Sequence, residues 1–93
     1  MLEGTFSFYR RPVLLLFDSS ASHNFVSKLC MRKYNLSSHT IKSPYIIQSQ
    51  GGRIIVDQVL RKAPLELNQK LYLLDFIMLE NQEIDLILGM RCV

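Results

Sequence analysis

The sequence predicts a mainly β domain that contains one helix. Most of its apolar segments are short and rich in β-branched or aromatic residues, and turn-forming residues separate them. Only the segment after Asn24 spaces its apolar residues as a helix does. The chain has 93 residues, of which 48% are hydrophobic and 20% charged, which suits one globular domain and excludes intrinsic disorder. We therefore expect residues 1–93 to form a single domain, with a core small enough to benefit from a partner subunit.

The first predicted element is a hairpin. Alternating apolar residues indicate a strand over residues 5–9, and Arg10-Arg11-Pro12 interrupts it because proline cannot donate to a strand ladder. The apolar run that ends at Phe17 would complete a hairpin over residues 5–17. Asp18 to Ser22 then has the composition of a turn.

The helix is predicted to begin directly after this turn. Ser22 or Asn24 would be its N-cap, and Asn35 suits a left-handed stop on which Leu36 folds back. Its apolar stripe consists of Phe25, Val26, Leu29, Cys30 and Tyr34.

The remainder of the chain predicts two hairpins and a final strand. Residues 37–44 have the composition of a loop, and Gln50-Gly51-Gly52-Arg53 is a tight-turn signal between two strand-prone segments. Asn68-Gln69 marks a second turn, before the strand "KLYLLDFIML". The segment "IDLILG" predicts a buried strand that ends at Gly89.

Charge and cysteine content exclude several classes of function. The net charge of +3 comes from scattered basic residues, so we expect no specific nucleic-acid partner. Cys30 and Cys92 are too few for a disulfide framework and lack metal-ligand spacing with His23 or His39, so we expect no metal, no cofactor and a reducing compartment. No apolar run is long enough to cross a bilayer, and we expect no membrane partner and an intracellular, cytoplasmic location.

Three segments, in order, resemble the protease domain of gypsy-type retrotransposon polyproteins, a branch of the retropepsin-like aspartic proteases. "LLFDSSASHNFVS" is similar to the family text "vLFDSGASHsFIs", and Gly4-Thr5-Phe6 matches its opening strand. "EIDLILGMRCV" is similar to "yDvILGmdWL". The resemblance covers nearly the whole chain and implies a retropepsin-like closed β-barrel of the acid protease fold, with one lobe per chain.

The resemblance implies an aspartic endopeptidase that acts only as a homodimer. Two carboxyl groups that share a proton activate water for peptide hydrolysis, and a chain with one motif must obtain the second from a partner. Asp18 would be the catalytic residue of each chain, and the substrate an extended peptide or polyprotein segment. The alternative is a domesticated or catalytically impaired domain that serves as a dimerisation or peptide-binding module.

The same resemblance assigns supporting roles around Asp18. Ser19 would hydrogen-bond across the two-fold axis, Ala21 would let the turn sit against the core, and Gly89 would allow close backbone approach. Ser20 departs from the family, which has Gly at this position. Asp85 matches an acid of the family text and would support the turn.

The hairpin around residue 50 corresponds to the flap that closes over substrate in the family, with Ser49, Gln50, Gly51 and Gly52 as substrate-binding residues. Without the motif resemblance, the residues favour an ordinary hairpin turn here and a helix cap at Asp18. His23 and His39 read as surface or cap residues. Relatives continue past the "ILGMDWL" segment, so the domain would be either complete or truncated at its C-terminus.

Overall fold

The structure is a computed structural model that describes residues 6–49 and 51–90. Its elements are β1 (Phe6–Phe8), β2 (Arg11–Pro12), β3 (Leu15–Asp18), β4 (Phe25–Ser27), α1 (Lys28–Lys33), β5 (His39–Ser49), β6 (Gly52–Leu67), β7 (Lys70–Leu79) and β8 (Leu86–Gly89). Within these ranges α1 is the single helix, so the predicted all-β class with one helix is confirmed.

All eight strands belong to one sheet that curls into a half-barrel. Its order is β2-β1-β6-β7-β4-β8-β3, and β5 pairs with β6 outside this path. The long strands β5, β6 and β7 pair antiparallel, whereas β3 lies parallel to β8 and β4 lies parallel to β7. The parallel pairs bring together segments that are far apart in the chain. β3 is an edge strand of the sheet, and its neighbour is β8.

The pairing register divides the core between the two faces of the sheet. Residues opposite each other in paired strands point to the same face. Leu15, Leu86 and Val26 are paired in this way and belong to the main core, which also packs against α1. On the other face, a smaller cluster is centred on Phe25, Val59 and Ile77. We call this second set the floor cluster.

The helix begins later than the sequence predicts. Ser27, not Ser22 or Asn24, is the N-cap, and its Oγ accepts a hydrogen bond from the Cys30 backbone N–H at 2.9 Å. Phe25 and Val26 form β4 instead of the first turn of the helix. The prediction was wrong because Phe25 and Val26 would be buried whether they were helical or extended. What makes them a strand is that β4 pairs with both β7 and β8, and the spacing of apolar residues cannot show this pairing.

The end of the helix follows the prediction. Asn35 has φ 54°, the left-handed conformation expected of a stop residue. The Leu36 N–H donates to the Met31 carbonyl at 2.8 Å, and the Asn35 N–H donates to Arg32 at 3.2 Å. These two bonds form a Schellman motif, and Leu36 packs on the main core.

Two further expectations need correction. The N-terminal hairpin joins β1 to β2 only, because β3 pairs with β8 rather than folding back on β1. Residues 37–44 are not all loop, since β5 begins at His39 and continues through an irregularity in its pairing between Thr40 and Tyr45. Pro44 is accommodated at that irregularity.

The two downstream hairpins are confirmed. In the first, Ser49 pairs with Gly52, and in the second, Leu67 pairs with Lys70 around Asn68 and Gln69. Both of these turn residues have positive φ, as a tight hairpin turn requires. Across the described parts of the chain, no helix has the length and apolar character to cross a membrane.

Candidate active site

Asp18 is the last residue of β3, at an end of the sheet. Leu15 begins the strand in the main core, and the strand leaves the core as it approaches Asp18. Because β8 is the neighbour of β3 in the sheet order, the carboxyl end of β3 projects beside Gly89 and is partly exposed. The Asp18 carboxylate therefore lies at the end of an apolar strand, where a second molecule can contact it.

The turn after Asp18 folds around its carboxylate. Oδ1 accepts a hydrogen bond from the Ser20 backbone N–H at 2.9 Å and another from the Ser20 hydroxyl at 2.7 Å. The Ala21 N–H donates to the Asp18 carbonyl at 3.3 Å, which closes the turn. The Ser20 hydroxyl and then the Ser20 N–H lower the pKa of the Asp18 carboxyl, since both stabilise its ionised form.

Gly89 lies directly beside this turn. It is the partner of Asp18 in the parallel pairing, and a Cβ at Gly89 would lie 2.4 Å from the His23 carbonyl oxygen and 2.7 Å from that of Ala21. Real Cβ atoms do not approach backbone atoms so closely. The turn can pack against β8 only because residue 89 has no side chain.

Asn24 fastens the end of the turn to two strands. Its Oδ1 accepts from the Gly89 N–H at 3.0 Å, and its Nδ2 donates to the Asp75 carbonyl at 3.2 Å. Its own carbonyl accepts from the Ile77 N–H at 2.9 Å. Sequence reasoning considered Asn24 only as a helix cap, whereas the structure gives it the position of a clamp between the turn, β7 and β8.

Asp85 supports β3 from its other end. Its Oδ2 accepts from the Leu14 N–H at 2.9 Å, and its carbonyl accepts from the Ser27 N–H at 3.0 Å. The acid therefore holds the start of β3 and the N-cap of the helix, rather than contacting the turn itself.

The floor cluster lies on the same face of the sheet as the Asp18 carboxylate. Asp18 pairs with Gly89, and Ile87, two residues earlier in β8, shares that face. Ile87 pairs with Phe25, and Phe25 pairs with Ile77, which carries the same face into the floor cluster. The carboxylate and the buried floor cluster therefore share one face of the sheet.

The β5–β6 hairpin covers this surface. Ile47 and Val56 pack against the floor cluster, so the underside of the hairpin is apolar. On the opposite side of the hairpin, Ile46 and Ile55 are paired and are 64% and 72% exposed. The hairpin thus has apolar side chains on both faces near its tip.

The structure describes three of the four predicted flap residues. Ser49 ends β5, Gly51 lies in the turn and Gly52 begins β6, while Gln50 lies outside the described residues. Gly52 has φ 114°, a conformation that favours glycine, and a Cβ at either glycine would meet no atom within 4 Å. These residues lie at the hairpin tip, separate from the Asp18 turn in sequence and in the sheet.

Sequence reasoning missed the groove between the hairpin and the β7–β8 loop. This groove has a volume of about 690 Å³, and its lining includes Ile54, Val56, Asn81, Gln82 and Ile87. The Gln82 Nε2 donates to the Ile84 carbonyl at 2.7 Å, which fixes the loop. The sequence did indicate one residue of this groove. Side chains alternate between the two faces of a strand, so Ile87 points away from the face that its buried neighbours Leu86 and Leu88 share.

A second groove of about 340 Å³ is lined by residues of β5, β6 and β7 together with His23 and Asn24. The His23 ring faces Tyr45 of β5 with centroids 5.0 Å apart, and Arg61 and Asp75 complete the polar part of the lining. His23 is therefore a groove residue rather than a cap. In the part of the chain that is described, no group of three or more His, Cys, Asp or Glu side chains could hold a metal ion.

The sequence pattern that describes the retroviral aspartyl proteases matches residues 1–93, the whole length of the chain. The chain belongs to the retroviral aspartyl protease family. No curated protein matches the chain.

The retropepsin-like fold is also supported by a solved structure. The chain is similar to the retroviral protease-like domain of Ddi1 from Leishmania major, with a TM-score of 0.70 and 19% sequence identity. The match covers 98% of this chain and 73% of the other. At this identity the likeness concerns the fold, and it confirms the predicted retropepsin-like architecture.

Proposed function

We propose that this retroviral aspartyl protease domain is an endopeptidase that is active as a homodimer. Each chain would contribute Asp18, and the two carboxyl groups would meet at a two-fold axis. The observation that carries the proposal is the position of Asp18, at the exposed end of β3 and on the same face of the sheet as the floor cluster. A second chain can approach the carboxylate from outside, while a peptide would lie in the groove beside Ile54 and Ile87.

The chemistry needs two carboxyl groups in different protonation states. Two carboxyl groups a few ångströms apart cannot both ionise, because their negative charges repel. One group would therefore keep its proton while the other accepts a proton from water. The protonated acid would polarise the scissile carbonyl while the attacking water loses its proton to the carboxylate. One chain supplies one such motif, which is why the proposal requires the dimer.

The substrate we propose is an extended segment of a polyprotein. A strand-like peptide could add to the exposed edges of the hairpin by backbone hydrogen bonds, with its apolar side chains in the grooves beside Ile54 and Ile87. The motif text supports an origin in a gypsy-type retrotransposon polyprotein. An intracellular, cytoplasmic location would suit the free thiol of the buried Cys30.

A second candidate function follows from Ser20. It stands where the family has Gly, and its hydroxyl already occupies one oxygen of the carboxylate. A domain impaired in this way would keep the fold and bind peptide or a second copy without cleaving.

Cleavage of a mixed peptide library between about pH 4 and 7 tests the proposal, with Asp18→Asn as the blank. We expect the native chain to cut and the blank to fold but not to cut. Sedimentation over a wide range of concentration is the companion measurement. A chain that remains monomeric at every concentration contradicts a site built from one Asp18 of each chain. Cleavage that survives Asp18→Asn contradicts the assignment of Asp18 as the catalytic residue.

A native chain that fails to cut while Ser20→Gly cuts would favour the second candidate. It would show that the scaffold and dimer are competent and that residue 20 alone suppresses the reaction. If neither the native chain nor Ser20→Gly cuts any peptide although dimers are present, peptide binding would be the function to test.

A further inference from the structure

We propose that Ser20 is a positioning residue for the catalytic carboxylate, whose hydroxyl anchors Asp18 Oδ1 inside its own turn and restricts cleavage to more acidic solutions. The catalytic half of this inference rests on the proposed function. The anchoring half concerns a single chain and can be measured without any cleavage.

The geometry gives one residue two bonds to the same oxygen. The Ser20 N–H and hydroxyl both donate to Asp18 Oδ1, at 2.9 and 2.7 Å. The backbone bond needs only an N–H, which every residue except proline has, whereas the second bond needs the hydroxyl of the Ser20 side chain. A second donor fixes the rotation of the carboxylate and decides which oxygen turns away from its own chain.

Few other charges compete with this interaction. On β8, Gly89 faces Asp18 and Met90 follows it, and neither residue titrates. In the turn, the first titratable side chain is His23, whose ring contacts Tyr45 and Phe25. The ion pair within the described ranges joins Lys28 to Glu80, so no described cation is paired with Asp18. In the dimer, the partner's Asp18 would be a further titratable group close to this carboxylate.

The Ser20 hydroxyl would change the pH at which the pair of Asp18 carboxyl groups loses its shared proton. A donor to a carboxylate favours its ionised form, and Ser20 accordingly lowers the pKa of the Asp18 carboxyl. The proposed reaction needs one proton on the pair. With a hydroxyl on each carboxylate, that proton would be lost at a lower pH, and activity would fall at a lower pH than without the hydroxyl.

Two substitutions separate the hydroxyl from the bulk of the side chain. Ser20→Ala removes the hydroxyl and keeps Cβ, whereas Ser20→Thr keeps both. The first readout is the Asp18 carboxyl titration by carbon NMR on 13C-aspartate-labelled monomer, with the signal assigned by its loss in Asp18→Asn. We expect a higher titration midpoint in Ser20→Ala and a midpoint near the native one in Ser20→Thr. Ser19→Ala on the neighbouring hydroxyl is the matched control and should leave the monomer midpoint unchanged.

The second readout is the pH profile of cleavage. We expect the descending limb at high pH to move upward in Ser20→Ala and to return toward the native position in Ser20→Thr. Equal titration midpoints in native protein and Ser20→Ala would overturn the anchoring role. A shifted midpoint with an unchanged pH profile would overturn the restriction of cleavage.

The two proposals fail in different ways. If no variant cleaves and no dimer forms, the endopeptidase proposal fails, yet a shifted midpoint in Ser20→Ala still supports the anchoring of Oδ1. If the variants cleave with one common midpoint and profile, the endopeptidase proposal stands and the role of Ser20 is refuted.

Discussion

Asp18 and Gly89 are the last paired residues of β3 and β8, and the turn after Asp18 folds into the space that a side chain at Gly89 would fill. The carbonyls of Ala21 and His23 both border that space. The glycine therefore determines where the turn lies, and through the turn it determines where the carboxylate lies.

Gly89→Ala should destabilise the fold. The added Cβ meets backbone carbonyls that cannot rotate away, so the turn or β8 must shift, at a cost of about 1–3 kcal/mol. Gly51→Ala is the matched control, because its Cβ would meet no atom within 4 Å. Urea unfolding of both variants measures the difference, and equal stability would contradict the close packing described at Gly89.

Ser27→Ala should weaken α1 by about 1 kcal/mol, since Ser27 accepts the hydrogen bond that caps the helix. Ser37→Ala, an exposed serine beyond the helix, is the control and should change stability little. Thermal unfolding distinguishes the two. Equal losses at Ser37 and Ser27 would contradict a specific capping role for Ser27.

The stability of the native chain should depend on Asp18 in acid. A carboxyl whose pKa is lowered in the folded chain stabilises it above the unfolded pKa, and this contribution is lost as the pH falls through the folded value. The difference in Tm between native protein and Asp18→Asn should therefore become less favourable to the native chain on going from about pH 6 to about pH 2. A constant difference would show that the turn does not stabilise the ionised carboxyl.

Cys30 should be a poorly reactive thiol. Burial, followed by the negative charge of Asp85, raises its pKa to about 11. In a Cys92→Ser background at about pH 8, alkylation of the folded chain should be on the order of a hundredfold slower than that of the urea-unfolded chain. Similar rates would mean that the helix opens readily and exposes its buried face.

Local sequence signals predicted the elements whose cause is local. Asn35 adopts the left-handed stop, and the turns that contain Gly51-Gly52 and Asn68-Gln69 form hairpins because these residues suit tight turns. The same reasoning failed for Phe25 and Val26, whose apolar side chains suit a strand or a helix equally. Pairing with β7 and β8, which are more than 50 positions away, decided the strand.

The sequence by itself determined the family, the acid at the end of an apolar strand and the hairpin downstream, because motif order and local turn chemistry are written in consecutive residues. Only the tertiary structure decided which carbonyls lie against Gly89, that Asn24 clamps the turn and that Ser20 donates twice to one carboxylate oxygen. Those relations depend on parallel pairing between distant segments and on the direction of individual side chains. Residue spacing carries neither kind of information.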